Sequence, residues 1–533
     1  MSTNRFTLLL SIFFLVVINY PLNSKLIELI VVDETVSWDF VATLPIFFVS
    51  VFFIVIWFIS LPYILKPLSI LLVVISAIVS YSMHTYGVVF DYTMIKNVFE
   101  TNYGEASSYL NVPLVAWFVG MGLVPSVVIA RTNVSFKPWL RETLHKVLGM
   151  SMAISVILIL AFFYYKDYAS FGRNNSFLSK MIIPTEYLAS TFRYIERNLL
   201  SSPSVYKEMG ADAHIIKGGN GKPRLMIFVL GETARSQNYQ LNGYPRETNR
   251  FTKELGVISI EDVSSCGTAT AESVPCMFSR MSKSNFDDRK VKYQDGVIDV
   301  LSNAGAEVVW LENDGGCKGV CDRVETWTYT AKTDSQWCVY EFCYDLLLLD
   351  EMEKAIDRVK GKDAVIVLHV NGSHGPTYYQ RYTEQHRKFV PDCQRSDIQN
   401  CTNEELVNTY DNTILATDYV VAEAIKRAKS LSADWDSSVV YISDHGESLG
   451  EKGVYLHGMP YSLAPEEQTK VPWLLWLSDD KVKRDSIDLE CLKAKAEKGG
   501  YSHDNLFDTL LGWMAVQTEV YKPELDLVAE CRR

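Results

Sequence analysis

The chain has 533 residues, with 51 lysines and arginines against 63 aspartates and glutamates, a net charge of −12. That length holds two or three domains, and the acidic balance gives no basic face of the kind nucleic-acid binding requires. Repeats and low-complexity tracts are absent, and the 48% hydrophobic content is divided between two unlike halves.

The first half, to about residue 165, carries long apolar runs. A bilayer core of roughly 30 Å needs about 20 such residues as helix. Five runs meet that need: FTLLLSIFFLVVINY from Phe6, ATLPIFFVSVFFIVIWFISL from Ala42, KPLSILLVVISAIVSYSM from Lys66, VPLVAWFVGMGLVPSVVIA from Val112 and VLGMSMAISVILILAFFYY from Val147. One run alone would read as a buried core helix, or, for the first, as a cleaved signal peptide. Five in succession read as a transmembrane domain, residues 1–165. The first run lacks a small-residue cleavage site and more spans follow it, so it reads as retained. After the third run, MIKNVFETNYGEA sets Asn97, Thr101 and Glu105 four apart, on one face if helical; from the residues alone this is a polar solvated face. The loop RTNVSFKPWLRETLHK holds Arg131, Lys137, Arg141 and Lys146 against the single acid Glu142, which marks it as cytoplasmic. Five spans then put the C-terminal part outside.

Residues 166–222 join the halves. SFLSKMIIPTEYLASTFRYIERNLL has amphipathic helical spacing, which suits a helix lying on the membrane surface or a solvated connector. GGNGKP, 218–223, marks the boundary of a domain running to 533.

Beyond that boundary, short apolar and β-branched runs alternate with helical patterns, the signature of an α/β, largely parallel sheet. Three runs end in metal-type ligands: RLMIFVL leads to Glu232, DAVIVLHVNGSHG delivers His369 and His374, and SSVVYIS leads to Asp444, His445 and Glu447. In open α/β sheets ligands bind at the carboxyl ends of strands, so these loops are expected to converge. A single acid after a strand is usually a helix cap, and a lone histidine usually a core or surface group. Four of only nine histidines at such loops, His457 included, argue for more. Imidazole nitrogen with carboxylate oxygen suits zinc, whereas an all-oxygen set would suit magnesium or calcium.

All ten cysteines lie beyond the last apolar run: Cys266, Cys276, Cys317, Cys321, Cys338, Cys343, Cys393, Cys401, Cys491 and Cys531. An even, clustered set in an exported domain reads as disulfides. Proximity pairs them in chain order, leaving Cys491 with Cys531. Zinc binding by these cysteines would need CxxC pairs, which are absent.

In VSSCGTATAESVPCMF two hydroxyls, Thr268 and Thr270, stand between Cys266 and Cys276. Threonine is a poor nucleophile until a dication favours its alkoxide. A disulfide across this loop would fix the hydroxyl against the metal, and AESVPCMFSRM would open a helix able to hold phosphate. Chemistry alone leaves both threonines open, with helix capping as the plain alternative.

GETARSQNYQLNGYPRETNR, SCGTATAESVPCMF, NGSHGPTYYQRY and SDHGESLGEKGVYLHGMP together resemble the lipid A phosphoethanolamine transferases, a group that includes the transferable colistin-resistance enzymes. The resemblance runs nearly the whole chain. It implies a five-helix transmembrane domain followed by an alkaline-phosphatase-like α/β/α periplasmic domain in the bacterial inner membrane. It also implies zinc at Glu232, Thr270, Asp444 and His445, and Thr270 as nucleophile. Phosphatidylethanolamine would be the donor, a covalent phosphoethanolamine–threonine the intermediate, and a lipid A phosphate the acceptor, lowering polymyxin binding. His374 and His457 would bind substrate phosphate, donate protons, or ligate a second zinc that Glu447 also serves. Lys318 would lie near the headgroup, and Asn97, Thr101 and Glu105 would contact the ethanolamine end. Gly315 departs from the serine of some relatives, which puts headgroup contacts there in question. A monomer is expected.

Sulfatases share that fold, but their CxPxR signature is absent here. Phosphoglycerol transferases share five spans and a threonine nucleophile, without the GYPRET and dense cysteine pattern. A core-sugar acceptor is an enzymatic alternative; an adhesin or a zinc-binding pseudoenzyme anchored in the membrane is the non-enzymatic one.

Overall fold

The computed structural model describes residues 1–32, 37–101, 103–201, 204–217, 221–339 and 342–533. Residues 218–220 of the GGNGKP boundary lie outside the described residues. The chain forms two compact units, Met1–Ile95 with Leu110–Ile195, and Lys96–Tyr109 with Glu196–Arg533. Composition changes near 165 and 222, whereas packing divides the chain at Ile195 and assigns Lys96–Tyr109 to the second unit.

In the first unit, Trp38–Ile59, Leu65–Tyr86, Val112–Arg131 and Trp139–Asn174 are each long and apolar enough to cross a membrane. The expected first span is instead a pair of helices, Thr3–Ile18 and Tyr20–Val31, bent by 64°. The bend has a local cause: Phe14–Ile18 is wound as a π-helical turn, and the Asn19 amide donates to the carbonyls of Phe14 and Ile183 at 2.9 and 2.6 Å. A side chain bonded into the ladder at a π-turn is a common source of a kink. The last span also outruns its expected end at 165. KDYASFGRN holds no proline, and the helix continues to Asn174 with a kink at Tyr164. Phe162 and Phe163 lie exposed on its outside, as lipid-facing side chains do. Within the connecting segment, helix Thr185–Ile195 buries Tyr187 and Ser190 and leaves Phe192 exposed; the Tyr187 hydroxyl sits 3.1 Å from Ser76 Oγ.

The second unit is built on an eight-stranded sheet. Its strands are β1 (Arg224–Gly231), β2 (Ile258–Ser264), β3 (Glu307–Glu312), β4 (Glu325–Thr328), β5 (Ala364–His369), β6 (Asp436–Ser443), β7 (Lys470–Leu477) and β8 (Tyr501–Ser502), in the order β8-β2-β7-β6-β1-β5-β3-β4. From β6 to β4 every pairing is parallel, while β7 runs antiparallel to both neighbours. Every residue of β1, β5 and β6 is buried, because parallel strands are covered on both faces; each carries an apolar centre, LMIFVL, AVIVL and VVYI, bounded by polar residues or glycine. On one face Met226, Phe228 and Leu230 join a core with Trp310, Trp473 and Trp513. Against β6 and β1 packs helix Asn403–Ser430, begun by a capping box in which Thr402 and Glu405 satisfy each other's backbone amides.

Candidate active site

Register decides which side chains meet. Gly231 at the end of β1 pairs with Ser443 at the end of β6, so Glu232 emerges beside Asp444 and His445. His369 at the end of β5 lies opposite Leu230 and Glu312. The loop after β5 passes close to Glu232 at Gly372, whose φ is +54° and where a Cβ would fall 2.6 Å from the Glu232 carbonyl oxygen. Only glycine accepts both conditions. The Tyr410 hydroxyl, from the long helix, donates to the Thr233 carbonyl at 2.8 Å and accepts from the Arg235 amide at 3.0 Å, which fixes the loop after β1.

Thr270 is the first residue of helix Thr270–Met277 and is buried. Its Oγ1 lies 3.1 and 3.2 Å from the two Glu232 oxygens and 3.4 Å from His445 Nε2. Thr268 faces elsewhere: its hydroxyl donates to the Met459 carbonyl, and its own carbonyl accepts from the Gly458 amide at 2.7 Å. Cys266 and Cys276 are joined, as are Cys317–Cys321, Cys338–Cys343, Cys393–Cys401 and Cys491–Cys531.

His445 Nδ1–H donates to the Gly446 carbonyl at 2.9 Å, leaving Nε2 free to ligate. Asp444 Oδ1 accepts the amides of Thr233 and His445 at 3.1 and 2.7 Å, while the buried Oδ2 has no hydrogen-bond partner. Burial, and then Glu232, push Asp444 up to about 7. Burial would lower His445, but Asp444 and Glu232 outweigh it and lift the ring to about 10. Burial acts against the Glu232 carboxylate too, yet His445 holds it well below the usual range. Ligand atoms of Glu232, Asp444 and His445 all lie within 4.8 Å of one another. Two carboxylates, an imidazole and a hydroxyl, with one carboxylate oxygen unspent, fit a zinc ion.

A second pair of histidines adjoins this cluster. The His457 ring lies 4.6 Å from His445 and 5.1 Å from His374. His374 Nε2 is 3.6 Å from Glu105 Oε1, and Glu105, His374 and His457 form one metal-type group. Glu447 stands behind it: one oxygen accepts His457 Nδ1–H at 2.8 Å and the other the Tyr378 hydroxyl. It therefore orients His457. Burial raises the Glu105 carboxyl despite the charges of His457 and Lys318, and pushes His374 down to about 3. Lys318, with φ of +53°, lines a cavity of about 450 Å³ together with Glu100, Lys292 and Arg323.

The expected single face through Asn97, Thr101 and Glu105 is broken. One helix ends at Glu100 and another begins at Tyr103. Glu105 reaches His374, whereas the Thr101 hydroxyl donates to the Asn97 carbonyl at 2.7 Å.

Sequence reasoning passed over several residues that hold the site. Lys96, nearly fully buried, donates from Nζ to the Ala271 carbonyl at 2.6 Å. His503 accepts the Cys266 amide at Nδ1 and donates from Nε2 to the Ser443 carbonyl, both at 3.0 Å, tying the disulfide loop to β6. Ser273 Oγ donates to the Asp444 carbonyl. Lys96 adjoins Asn97 and His503 follows a short strand, but neither stands in a spacing that announces its partner.

An alkaline-phosphatase-like sheet whose strand ends gather a helix-start hydroxyl, two carboxylates and an imidazole defines an enzyme of phosphoryl or sulfuryl esters. The Sulfatase family model matches residues 224–516, and the model for Phosphoethanolamine transferase EptA/EptB matches residues 48–199. The sequence is 43% identical over 474 residues to Phosphoethanolamine transferase EptA of Escherichia coli (strain K12), 88% of this chain and 86% of that one. It is 38% identical over 424 residues to Phosphatidylethanolamine transferase Mcr-1 of Escherichia coli, covering 77% and 78%. The solved integral membrane protein lipooligosaccharide phosphoethanolamine transferase A (EptA) from Neisseria meningitidis matches with a TM-score of 0.94 at 37% identity, over 99% of this chain and 98% of that one. The chain belongs to the EptA/Mcr family of phosphoethanolamine transferases.

Proposed function

We propose that this enzyme transfers phosphoethanolamine from phosphatidylethanolamine to a phosphate of lipid A, with Thr270 as nucleophile. The observation that carries this reading is the Thr270 hydroxyl, within 3.4 Å of Glu232 and His445. In the first step Oγ1 forms a bond to the donor phosphorus, the bond from phosphorus to the diacylglycerol oxygen breaks, and diacylglycerol leaves with a proton. His457 suits that proton transfer, since Glu447 holds its Nδ1–H at 2.8 Å and its ring lies 5.1 Å from that of His374 and 4.6 Å from that of His445. In the second step a lipid A phosphate oxygen attacks the phosphorus held on Thr270, and the bond to Oγ1 breaks to restore the hydroxyl. Zinc held by Glu232, Asp444, His445 and Thr270 would favour the threonine alkoxide and polarise a phosphoryl oxygen. Glu105, with Lys318 and Asn97 and Thr101 nearby in sequence or site, is assigned to the headgroup; a carboxylate suits the ethanolamine ammonium.

The enzyme is read as a multi-pass protein of the bacterial inner membrane with Glu196–Arg533 in the periplasm, where disulfides persist. An added ammonium reduces the negative charge of lipid A and so its attraction for cationic polymyxins. Mass spectrometry of lipid A from expressing cells tests the proposal. A phosphoethanolamine adduct with wild type, lost in Thr270→Ala, is the expected result. Unmodified lipid A with a folded wild-type enzyme overturns the acceptor, and an adduct on core sugar replaces it.

A further inference from the structure

Glu232 belongs to a second set of metal-type groups. Ligand atoms of Glu232, Asp314 and His369 all lie within 4.8 Å of one another. Glu232 and His369 are fully buried, and the Asp314 side chain is 6% exposed. His369 Nδ1 lies 2.7 Å from Glu312 Oε2 and donates its proton there. Glu312 is built to accept, taking Trp310 Nε1–H at 2.9 Å and the amides of Asp314 and Gly316 at 2.8 and 3.1 Å. A carboxylate behind one ring nitrogen is the usual way to aim the other at a metal.

The aimed atom, His369 Nε2, is buried and has no hydrogen-bond partner. Asp314 Oδ2 stands 3.7 Å from it. A neutral ring would turn its lone pair on a carboxylate oxygen, and a protonated ring would leave an N–H too far to bond. A cation between them resolves both. Bonds of about 2.1 Å to nitrogen and oxygen span that 3.7 Å gap at an angle of about 120°. Lys318 and Arg381 lend positive charge to Asp314, and a cation among the buried Glu232, Asp314 and Glu312 carboxylates adds to it.

We propose that Glu232, Asp314 and His369 form a second divalent-cation site, joined to the Thr270 site through the shared Glu232 carboxylate and oriented by Glu312. One imidazole with two carboxylates suits zinc or manganese. The site is separate from the Glu105–His374–His457 group and does not depend on which acceptor the enzyme uses.

Full-length enzyme in detergent, stripped with a chelator and reloaded with Mn²⁺ or Zn²⁺, tests it by metal analysis after gel filtration. Asp314→Asn and His369→Gln should each hold one ion fewer per chain than wild type, and Glu312→Gln should weaken that ion about 10- to 100-fold. Wild-type crystals soaked in Mn²⁺ give a readout that needs no variant: anomalous scattering should peak between His369 Nε2 and Asp314 Oδ2. Equal metal content in wild type and both variants, or a filled Thr270 site with no peak at His369, would overturn the proposal.

Discussion

Two positions separate Thr268 from Thr270, and the start of a helix turns their hydroxyls apart. Thr268 spends its proton on the Met459 carbonyl, so Thr268→Ala should cost about 1 kcal/mol of stability and leave transfer within a few-fold. Thr270→Ala should lower transfer by about three orders of magnitude or more, and Thr270→Ser should recover part of it; a lipid A transfer assay on purified variants separates the three. Removal of bound metal by a chelator should abolish transfer, and added zinc should restore it. His503 supplies a pH test. Burial pushes its ring down to about 3 against the bond to the Ser443 carbonyl, which favours the protonated ring, and the charges of Lys283 and His445 add to the burial. An unfolded ring titrates near 6.5, so between those values only the unfolded chain takes up the proton. The contribution is full above about pH 6.5 and falls by roughly 1.4 kcal/mol per pH unit below it. The stability advantage of wild type over His503→Asn should therefore shrink on going from pH 7.5 to 5.5; a constant difference in denaturation midpoints would count against it. Residues at strand ends were legible because an apolar run announces the strand and the next polar residue its mouth. Lys96, Ser273 and His503 were not, since their partners lie across the fold and no local spacing records them.

Elements set how firmly each residue is held. The Cys266–Cys276 bond closes a separation of 10 residues around the Thr270 helix start, and Cys491–Cys531 closes 40 near the chain end. Loop-closure entropy assigns about 2.7 kcal/mol to the first and about 3.9 to the second. Replacing both cysteines of each pair with serine should thus lower the melting temperature more for Cys491–Cys531, but lower transfer more for Cys266–Cys276. Equal loss of transfer in the two variants would deny the Thr270 loop a special dependence on the bond. The sequence pattern carried the sheet well, because β1, β5 and β6 each hold an apolar run of four to six residues, LMIFVL, AVIVL and VVYI. It carried the helices less well. At the bend Asn19 bonds both the local Phe14 carbonyl and the distant Ile183 carbonyl, and the break after Glu100 divides a segment whose polar spacing runs straight through it.

At the scale of the molecule, the basic loop from Arg131 to Lys146 and the ten cysteines give two independent statements about sidedness. A reporter enzyme active only in the periplasm should work when fused after Arg533 and fail when inserted near Lys137. Cells lacking periplasmic thiol oxidation should accumulate less folded enzyme; unchanged levels with alkylatable thiols would refute the disulfide reading. Both halves were apparent from hydropathy, but the division by packing was not, because composition does not record that Lys96–Tyr109 clusters with Glu196–Arg533. That detour matters for genetics and for fragments. A soluble piece begun at residue 196 would keep Thr270, Glu232, Asp444 and His445 yet lose the Lys96 bond to Ala271 and the Glu105 contact with His374. Loss-of-function alleles falling between the third and fourth apolar helices should accordingly behave as active-site alleles, producing stable, inserted, inactive protein. A peptide carrying that short insertion, supplied in trans, is the natural candidate to complement such a fragment.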